Sequence, residues 1–85
     1  MVIPLSVRTI QSGAFSNCTQ LSSVTIRSGE ISLGNEAFSN SSNLSEFTVE
    51  PEALISFGGQ LVFRGTSLNL ATQAELRRLG YNGNF

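Results

Sequence analysis

Few side chains of this sequence could take part in chemistry, and they are not grouped as catalysis requires. Cys18 is the single cysteine, and the chain contains no His and no Asp. A Ser or Cys nucleophile needs a neighbouring base, and the six Glu are spread along the chain. A zinc site needs a cluster of Cys and His ligands. We therefore expect no enzyme activity, no metal and no cofactor, and we interpret Cys18 as a small buried apolar residue.

Two short motifs raise the question of an anion site. Arg77 and Arg78 are adjacent, and their simplest interpretation is positive charge near the C-terminus of a helix, with a small anion site as the alternative. Gly58 and Gly59 lack both the spacing and the Lys of a phosphate-binding loop. We interpret these two glycines as a sharper bend or a bulge.

Charge and hydropathy exclude two classes of partner. Five Arg and six Glu give a formal net charge of -1, and most of the polarity comes from Ser, Thr and Asn. No clustered basic face is available for nucleic acid. No apolar run approaches the roughly 20 residues that cross a bilayer, and the first residues lack the features of a signal peptide. Because Met1 is followed at once by repeat-like sequence, we expect the chain to begin inside a longer protein.

The elements that position these residues come from an internal repeat. The segment 14–26 recurs as 37–49, at an offset of 23, with seven of thirteen positions identical. A unit of this length cannot bury its own apolar side chains, so successive units must stack. The pattern predicts a solenoid of 23-residue repeats, mostly β with turns.

Alternating apolar residues place short strands inside each unit. "LSSVTI" and "LSEFTV" each predict a strand, and strands from successive units predict a parallel sheet of about three to four short strands. The stretches around "VRTI" and "ISL" are candidates for a second, shorter strand. We expect Phe15 and Phe38 to stack in the core, and Asn17 and Asn40 to satisfy backbone groups at turns. The predicted core residues are Ile10, Phe15, Leu21, Val24, Ile26, Leu33, Phe38, Leu44, Phe47 and Val49.

The end of the chain departs from the repeat. Phe63 aligns with Phe38 at an offset of 25, and Leu70 aligns with Val49 at an offset of 21, which makes the third unit degenerate. Thr72 and Glu75 have capping-box spacing and Gly80 suits a helix end, so we predict a short helix over about 73–79. We expect stacked repeats over residues 1–71, namely a partial first unit, two clear units and one degenerate unit, and a C-terminal cap over residues 72–85.

The segment "AFSNCTQLSSVTI", preceded by "IPLSVRTI", resembles the BspA-like (Treponema pallidum type) leucine-rich repeats of bacterial surface proteins and some protozoan parasites. The sequence departs from that pattern at Ser41, where Cys is usual, and at Arg27-Ser28, where a Pro step is usual. The resemblance implies a curved right-handed solenoid with a parallel sheet on its concave side. It also implies cell-surface or secreted placement and a role in adhesion or protein recognition.

In such a fold, binding would use outward strand positions. The predicted interaction face consists of Ser23, Thr25, Glu46, Thr48 and Asn69. Our first hypothesis is an interaction module that contacts a host or surface protein, and the alternative is a structural spacer and cap with binding elsewhere in a longer array. Glycan binding is a weaker third hypothesis because this face lacks aromatic side chains. We also predict self-association through the open N-terminal unit at 1–3.

Overall fold

The computed structural model describes residues 1–27 and 29–85. Ser28, the second residue of the Arg27-Ser28 step, lies outside the described residues. The described part of the chain forms short strands followed by one helix. In chain order these are β1 (Val2–Ile3), β2 (Thr9–Ile10), β3 (Ser23–Ile26), β4 (Glu30–Leu33), β5 (Glu46–Val49), β6 (Leu54–Phe57) and α1 (Leu70–Arg78).

The strands form two parallel sheets, because the chain alternates between them. Sheet A has the order β1-β3-β5, and sheet B has the order β2-β4-β6. In sheet A, Thr25 pairs with Thr48, which is the predicted offset of 23. In sheet B, Leu33 pairs with Phe57, so one residue has been inserted before β6. The candidate second strands thus build a complete sheet, and β4 and β6 are as long as β3 and β5.

Apolar side chains from both sheets meet in one core. Four phenylalanine rings form a stack, in which Phe38 lies 5.4 Å from Phe15 and 5.8 Å from Phe63, and Phe63 lies 6.2 Å from Phe85. Of the ten predicted core residues, three are partly buried and pack against this core: Phe15, Leu21 and Val49. The other seven are buried: Ile10, Val24, Ile26, Leu33, Phe38, Leu44 and Phe47.

The turns between the sheets place non-glycine residues in the left-handed region. Asn17 and Asn40 have φ values of 60° and 61°, and Gly65 has 77° at the corresponding turn of the third unit. Asn adopts this conformation more readily than most residues because its short polar side chain tolerates it. Their main-chain N–H groups donate hydrogen bonds to the next unit, for example from Asn17 to the carbonyl of Ser39 at 2.8 Å. The repeated Asn therefore supplies a backbone conformation rather than the predicted side-chain bond to the backbone.

The glycine pair at 58–59 serves close packing between units. A Cβ on Gly58 would lie 2.8 Å from the carbonyl oxygen of Leu33, and one on Gly59 would overlap the side chain of Asn35. Neither glycine has a positive φ. The absence of a side chain, rather than an unusual bend, is what this position requires.

The helix begins earlier than predicted. Helix α1 begins at Leu70, and its N-cap is Asn69, whose side chain accepts a 2.8 Å hydrogen bond from the N–H of Thr72. Asn is a preferred N-cap residue, and it uses the Thr72 N–H that the helix start leaves unpaired. The predicted capping box of Thr72 and Glu75 is therefore wrong, because both residues lie inside the helix. The predicted helix end is close to the observed one, since Leu79 is the C-cap and Gly80 follows with φ 115°.

The alignment of Leu70 with Val49 is also wrong. The N–H of Asn69 donates to the carbonyl of Ser45 at 3.2 Å, so Asn69 lies beside the start of β5. Leu70 follows as the first helical residue and is 81% exposed. The chain thus forms a helix where a fourth strand of sheet A would continue.

Tyr81 fixes the segment after α1 to the core. Its ring is buried, and its hydroxyl lies 2.8 Å from the carbonyl oxygen of Gln60 and 2.6 Å from that of Asn84. The same oxygen accepts a 3.3 Å hydrogen bond from the N–H of Phe63. Burial raises the pKa of the Tyr81 hydroxyl, because charge is disfavoured away from water.

Candidate interaction surface

The outward side chains of sheet A form two rows across neighbouring strands. Ser23 and Thr25 alternate with the buried residues of β3, and Glu46 and Thr48 do the same in β5. The register pairs Ser23 with Glu46 and Thr25 with Thr48. The structure therefore brings four of the five predicted interaction residues together on one face, because strand side chains alternate and the strands are in register. We call these four residues the sheet A face.

The sheet A face is weakly polar and unevenly exposed. Glu46 and Thr48 are exposed, whereas Ser23 and Thr25 are partly buried. Val2 pairs with Thr25, so it extends the threonine row, and it is 56% exposed. Sequence reasoning did not include Val2, although the offset of 23 from Thr25 would have found it.

Asn69 lies near this face but has a structural task. Its residue is exposed, yet its side-chain oxygen accepts from Thr72 and its Nδ2 donates to the carbonyl of Ser45 at 3.2 Å. Both polar atoms of the amide are thus engaged in starting α1 beside β5. Asn69 is therefore less available to a partner than the four residues of the sheet A face.

Sheet B also presents a row of small hydroxyl side chains. Thr9 pairs with Ser32, and Ser32 pairs with Ser56, and all three are exposed. This row is not among the predicted interaction residues, because the alternating pattern that predicts two strand faces was assigned only to the first strand of each unit. This row is the counterpart in sheet B of the row that Thr25 and Thr48 form in sheet A, since both consist of small side chains in register on neighbouring strands.

A groove separates β5 from α1 at the C-terminal end of sheet A. Its volume is about 310 Å³. Its lining residues are Phe47, Thr48, Val49, Ala71, Thr72 and Glu75. One wall is therefore a strand edge and the other is the first turns of a helix.

Comparison with known proteins settles the family. The family model described as a BspA type leucine-rich repeat region (6 copies) matches residues 1–82. The chain belongs to the BspA-type leucine-rich repeat family. Comparisons with curated proteins and with solved structures give no match. The matched range includes α1 and extends past the predicted end of the repeats at residue 71.

Membership of the BspA-type family indicates a protein-interaction module. Repeats of this kind are generally non-enzymatic, and the family is typically associated with cell surfaces. Within residues 1–27 and 29–85, no three His, Cys, Asp or Glu residues lie close enough together to hold a metal ion. Across the same residues, no helix has the length and apolar character required to cross a membrane.

At the position where BspA-like repeats usually have Cys, this chain uses Ser41 to join two units. Ser41 is buried, and its hydroxyl donates a 2.6 Å hydrogen bond to the carbonyl of Phe15. The same oxygen accepts a 3.2 Å bond from the N–H of Cys18. Cys18 itself is partly buried, with its thiol 3.8 Å from the carbonyl oxygen of Ser16. Both residues therefore take part in packing and main-chain bonding between BspA-type units.

The two adjacent arginines lie in the last turn of α1, as the sequence predicted. Arg78 forms an ion pair with Glu75, and this hydrogen bond lowers the pKa of the Glu75 carboxyl. Arg77 lies over the ring of Phe85, with its guanidinium carbon 4.9 Å from the ring centroid. Each guanidinium thus has a partner within the chain, which favours the helix-end interpretation over a small anion site.

Proposed function

We propose that this chain is a non-enzymatic interaction segment of a surface protein that recognises a protein partner, such as a host protein, through the sheet A face. The observation that supports the proposal is the register of Ser23 with Glu46 and of Thr25 with Thr48. Among the described residues, the side chains of these four residues have no hydrogen-bond partner. They are consequently available to a partner, whereas the alternating residues between them are committed to the core.

The repeats and the C-terminal segment have separate tasks in this proposal. Residues 1–71 act as stacked leucine-rich repeats of a solenoid, and residues 72–85 act as a cap, which α1 extends back to Leu70. Leu76 and Tyr81 support the capping role, because both are buried against the end of the core. Such a cap shields apolar side chains that a further repeat would otherwise cover.

The second candidate is a structural spacer, with binding performed elsewhere in a longer array. The partial burial of Ser23 and Thr25 favours it, since only Glu46 and Thr48 of the sheet A face are fully exposed. Glycan binding has less support, because the sheet A face has no aromatic side chain on which a sugar ring could stack.

The two candidate functions predict different effects on partner binding when Thr25 and Thr48 are substituted. The double variant Thr25→Arg/Thr48→Arg places two bulky cations on the sheet A face. The matched control is Thr9→Arg/Ser32→Arg, a registered pair on sheet B. Binding would be measured by surface plasmon resonance on immobilised fibronectin, laminin and collagen, with circular dichroism to check the fold.

Under the interaction proposal, the wild type and the sheet B variant bind saturably, and the sheet A variant loses binding at equal stability. Equal binding by the two folded variants would refute a role for the sheet A face. A folded wild type that binds none of the three matrix proteins would favour the spacer candidate.

A further inference from the structure

The outer edge of β5 has unused main-chain groups. In a parallel strand, alternate residues direct their N–H and C=O groups to opposite edges. The N–H of Glu50 donates to the carbonyl of Ile26 at 3.1 Å, so this set of residues faces β3. Phe47 and Val49 belong to the alternate set and therefore face the outer edge. Across the part of the chain that the structure describes, their N–H groups have no hydrogen-bond acceptor.

The segment before α1 runs beside this edge only as far as Asn69. Asn69 covers the carbonyl of Ser45 with two hydrogen bonds of 3.2 Å, one from its main chain and one from its side chain. The chain then begins α1 at Leu70, whose side chain is directed to solvent. The edge at Phe47 and Val49 is consequently left open beside the helix.

The open edge lies in the groove between β5 and α1. Phe47, Thr48 and Val49 form one wall, and the helix forms the other with a face that includes Ala71 and Glu75. A volume of about 310 Å³ is in the lower range of ligand-binding pockets. A strand edge flanked by a helix suits an extended peptide, because only an extended backbone offers donors and acceptors at the strand repeat.

Acidic residues lie in and beside this groove. Glu75 lines the helix wall, Glu46 is exposed at the start of β5, and Glu50 is exposed just after the end of β5. The nearby cations are Arg27, which lies 3.9 Å from Glu50, and Arg78, which is paired with Glu75. Within the described residues, Glu46 has no ion-pair partner. A strand that carries Lys or Arg would therefore complement the groove.

The chain itself supplies no suitable occupant. Two copies of β5 paired antiparallel about Thr48 would place Glu46 of one copy opposite Glu50 of the other, and like charges directly opposite each other destabilise a sheet. The tail after α1 is engaged elsewhere, because Tyr81 binds it to Gln60 and Asn84. A partner with basic side chains remains the occupant that the surface fits.

We propose that the groove between β5 and α1 binds an extended basic peptide segment, which adds to sheet A as a further strand along Phe47 and Val49. Glu46 and Glu75 select the positive side chains, and the open main-chain groups hold the backbone. This site shares Glu46 and Thr48 with the sheet A face, but Thr25 does not line the groove. Thr25→Arg should therefore leave peptide binding unchanged, which distinguishes this proposal from the sheet A face proposal.

A titration with a defined probe tests the site directly. The probe is the blocked peptide Val-Lys-Val-Lys-Val, and the matched control is Val-Glu-Val-Glu-Val. Heteronuclear NMR should show chemical-shift changes at Phe47, Val49 and Ala71, and the two strand amides should exchange more slowly with solvent when the peptide is bound. Equal binding of the acidic peptide, or shifts confined to other parts of the chain, would overturn the proposal. Slow exchange of both amides without peptide would show that the edge is already protected from solvent, and it would overturn the proposal too.

A pair of substitutions at one position separates backbone pairing from packing. Val49→Pro removes the outward N–H while leaving the β3–β5 bonds in place, and Pro is tolerated on an edge of this kind. Val49→Ala removes side-chain packing but keeps the N–H, so it is the control. We expect affinity for the lysine peptide to fall by about tenfold in Val49→Pro and by clearly less in Val49→Ala. Equal losses in the two folded variants would contradict strand addition, and the amide exchange of the wild type gives an answer that does not depend on either variant folding.

Discussion

The ring of Phe38 stacks on that of Phe63, with centroids 5.8 Å apart and ring planes within 5° of parallel. These two residues belong to successive repeat units whose sequences differ in length by two residues. The stack is nevertheless continuous from Phe15 to Phe85. An aromatic column of this kind joins the units and the C-terminal segment into one core.

Replacing Phe38 by Ala should cost about 3–5 kcal/mol of unfolding free energy, because the ring is fully buried and the cavity cannot close completely. Phe15→Ala should cost less, since Phe15 is only partly buried at the end of the stack. Leu70→Ala is the control and should change stability by no more than about 0.5 kcal/mol. Urea denaturation followed by circular dichroism measures all three, and equal costs for Phe38 and Phe15 would contradict the gradient of burial.

Tyr81→Phe should destabilise the chain by about 1–3 kcal/mol, because the N–H of Phe63 would lose its partner in a buried site. The pH dependence should change as well. Burial holds the folded-state pKa of Tyr81 above 10.0, so its contribution is complete below that pH and is lost as the pH rises through the raised pKa.

The wild type should therefore lose stability more steeply than Tyr81→Phe above pH 10. Urea denaturation at a series of alkaline pH values measures the two slopes. As the chain has one Tyr, tyrosinate absorbance reports its titration without interference. Parallel pH profiles for the two proteins would show that the hydroxyl is not tied to the fold.

Glu36→Gly should stabilise the chain by up to about 1 kcal/mol. Glu36 has φ 64°, and the corresponding residue of the preceding unit is Gly13 with φ 73°. A left-handed conformation costs a residue with a Cβ roughly 1–2 kcal/mol, and Gly avoids this cost. The greater conformational freedom of Gly in the unfolded chain offsets about 0.4–1 kcal/mol of that gain. Ser32→Gly, within β4, is the control and should destabilise by about 0.5–1 kcal/mol. Thermal unfolding compares the two, and a lower midpoint for Glu36→Gly would refute the strain at this turn.

We propose that residues 1–85 on their own self-associate through β1, which, among the described strands, pairs only with β3. Val2 and Leu5 are 56% and 69% exposed there, so an apolar surface accompanies the open edge. Sedimentation velocity over a range of concentrations should show reversible association that Val2→Lys weakens. Leu54→Lys, at an exposed apolar position of sheet B, is the control and should have no effect. A strict monomer at high concentration would rule out the association.

Repeat analysis was sufficient for sheet A, because parallel pairing follows directly from an offset of 23 between Thr25 and Thr48. It was less complete for sheet B, because the offset changes from 23 between β2 and β4 to 24 between β4 and β6, so a fixed repeat length does not place β6. It failed at the helix start, because capping residues such as Asn69 and Thr72 each fit the local rules. Only the hydrogen bond between Asn69 and Ser45 decides which one begins the helix.

The sequence by itself determined the family, the parallel pairing and the identity of most core residues, because a repeat imposes the same side-chain environment at each recurrence. It also determined that the polar residues of the sheet A face would lie together, since alternation along a strand is local. The tertiary structure alone decided that Leu70 turns outward, that Tyr81 closes the core and that the edge of β5 stays open beside α1. Those outcomes depend on how units of unequal length pack against each other. The local sequence around each of these residues does not determine that packing.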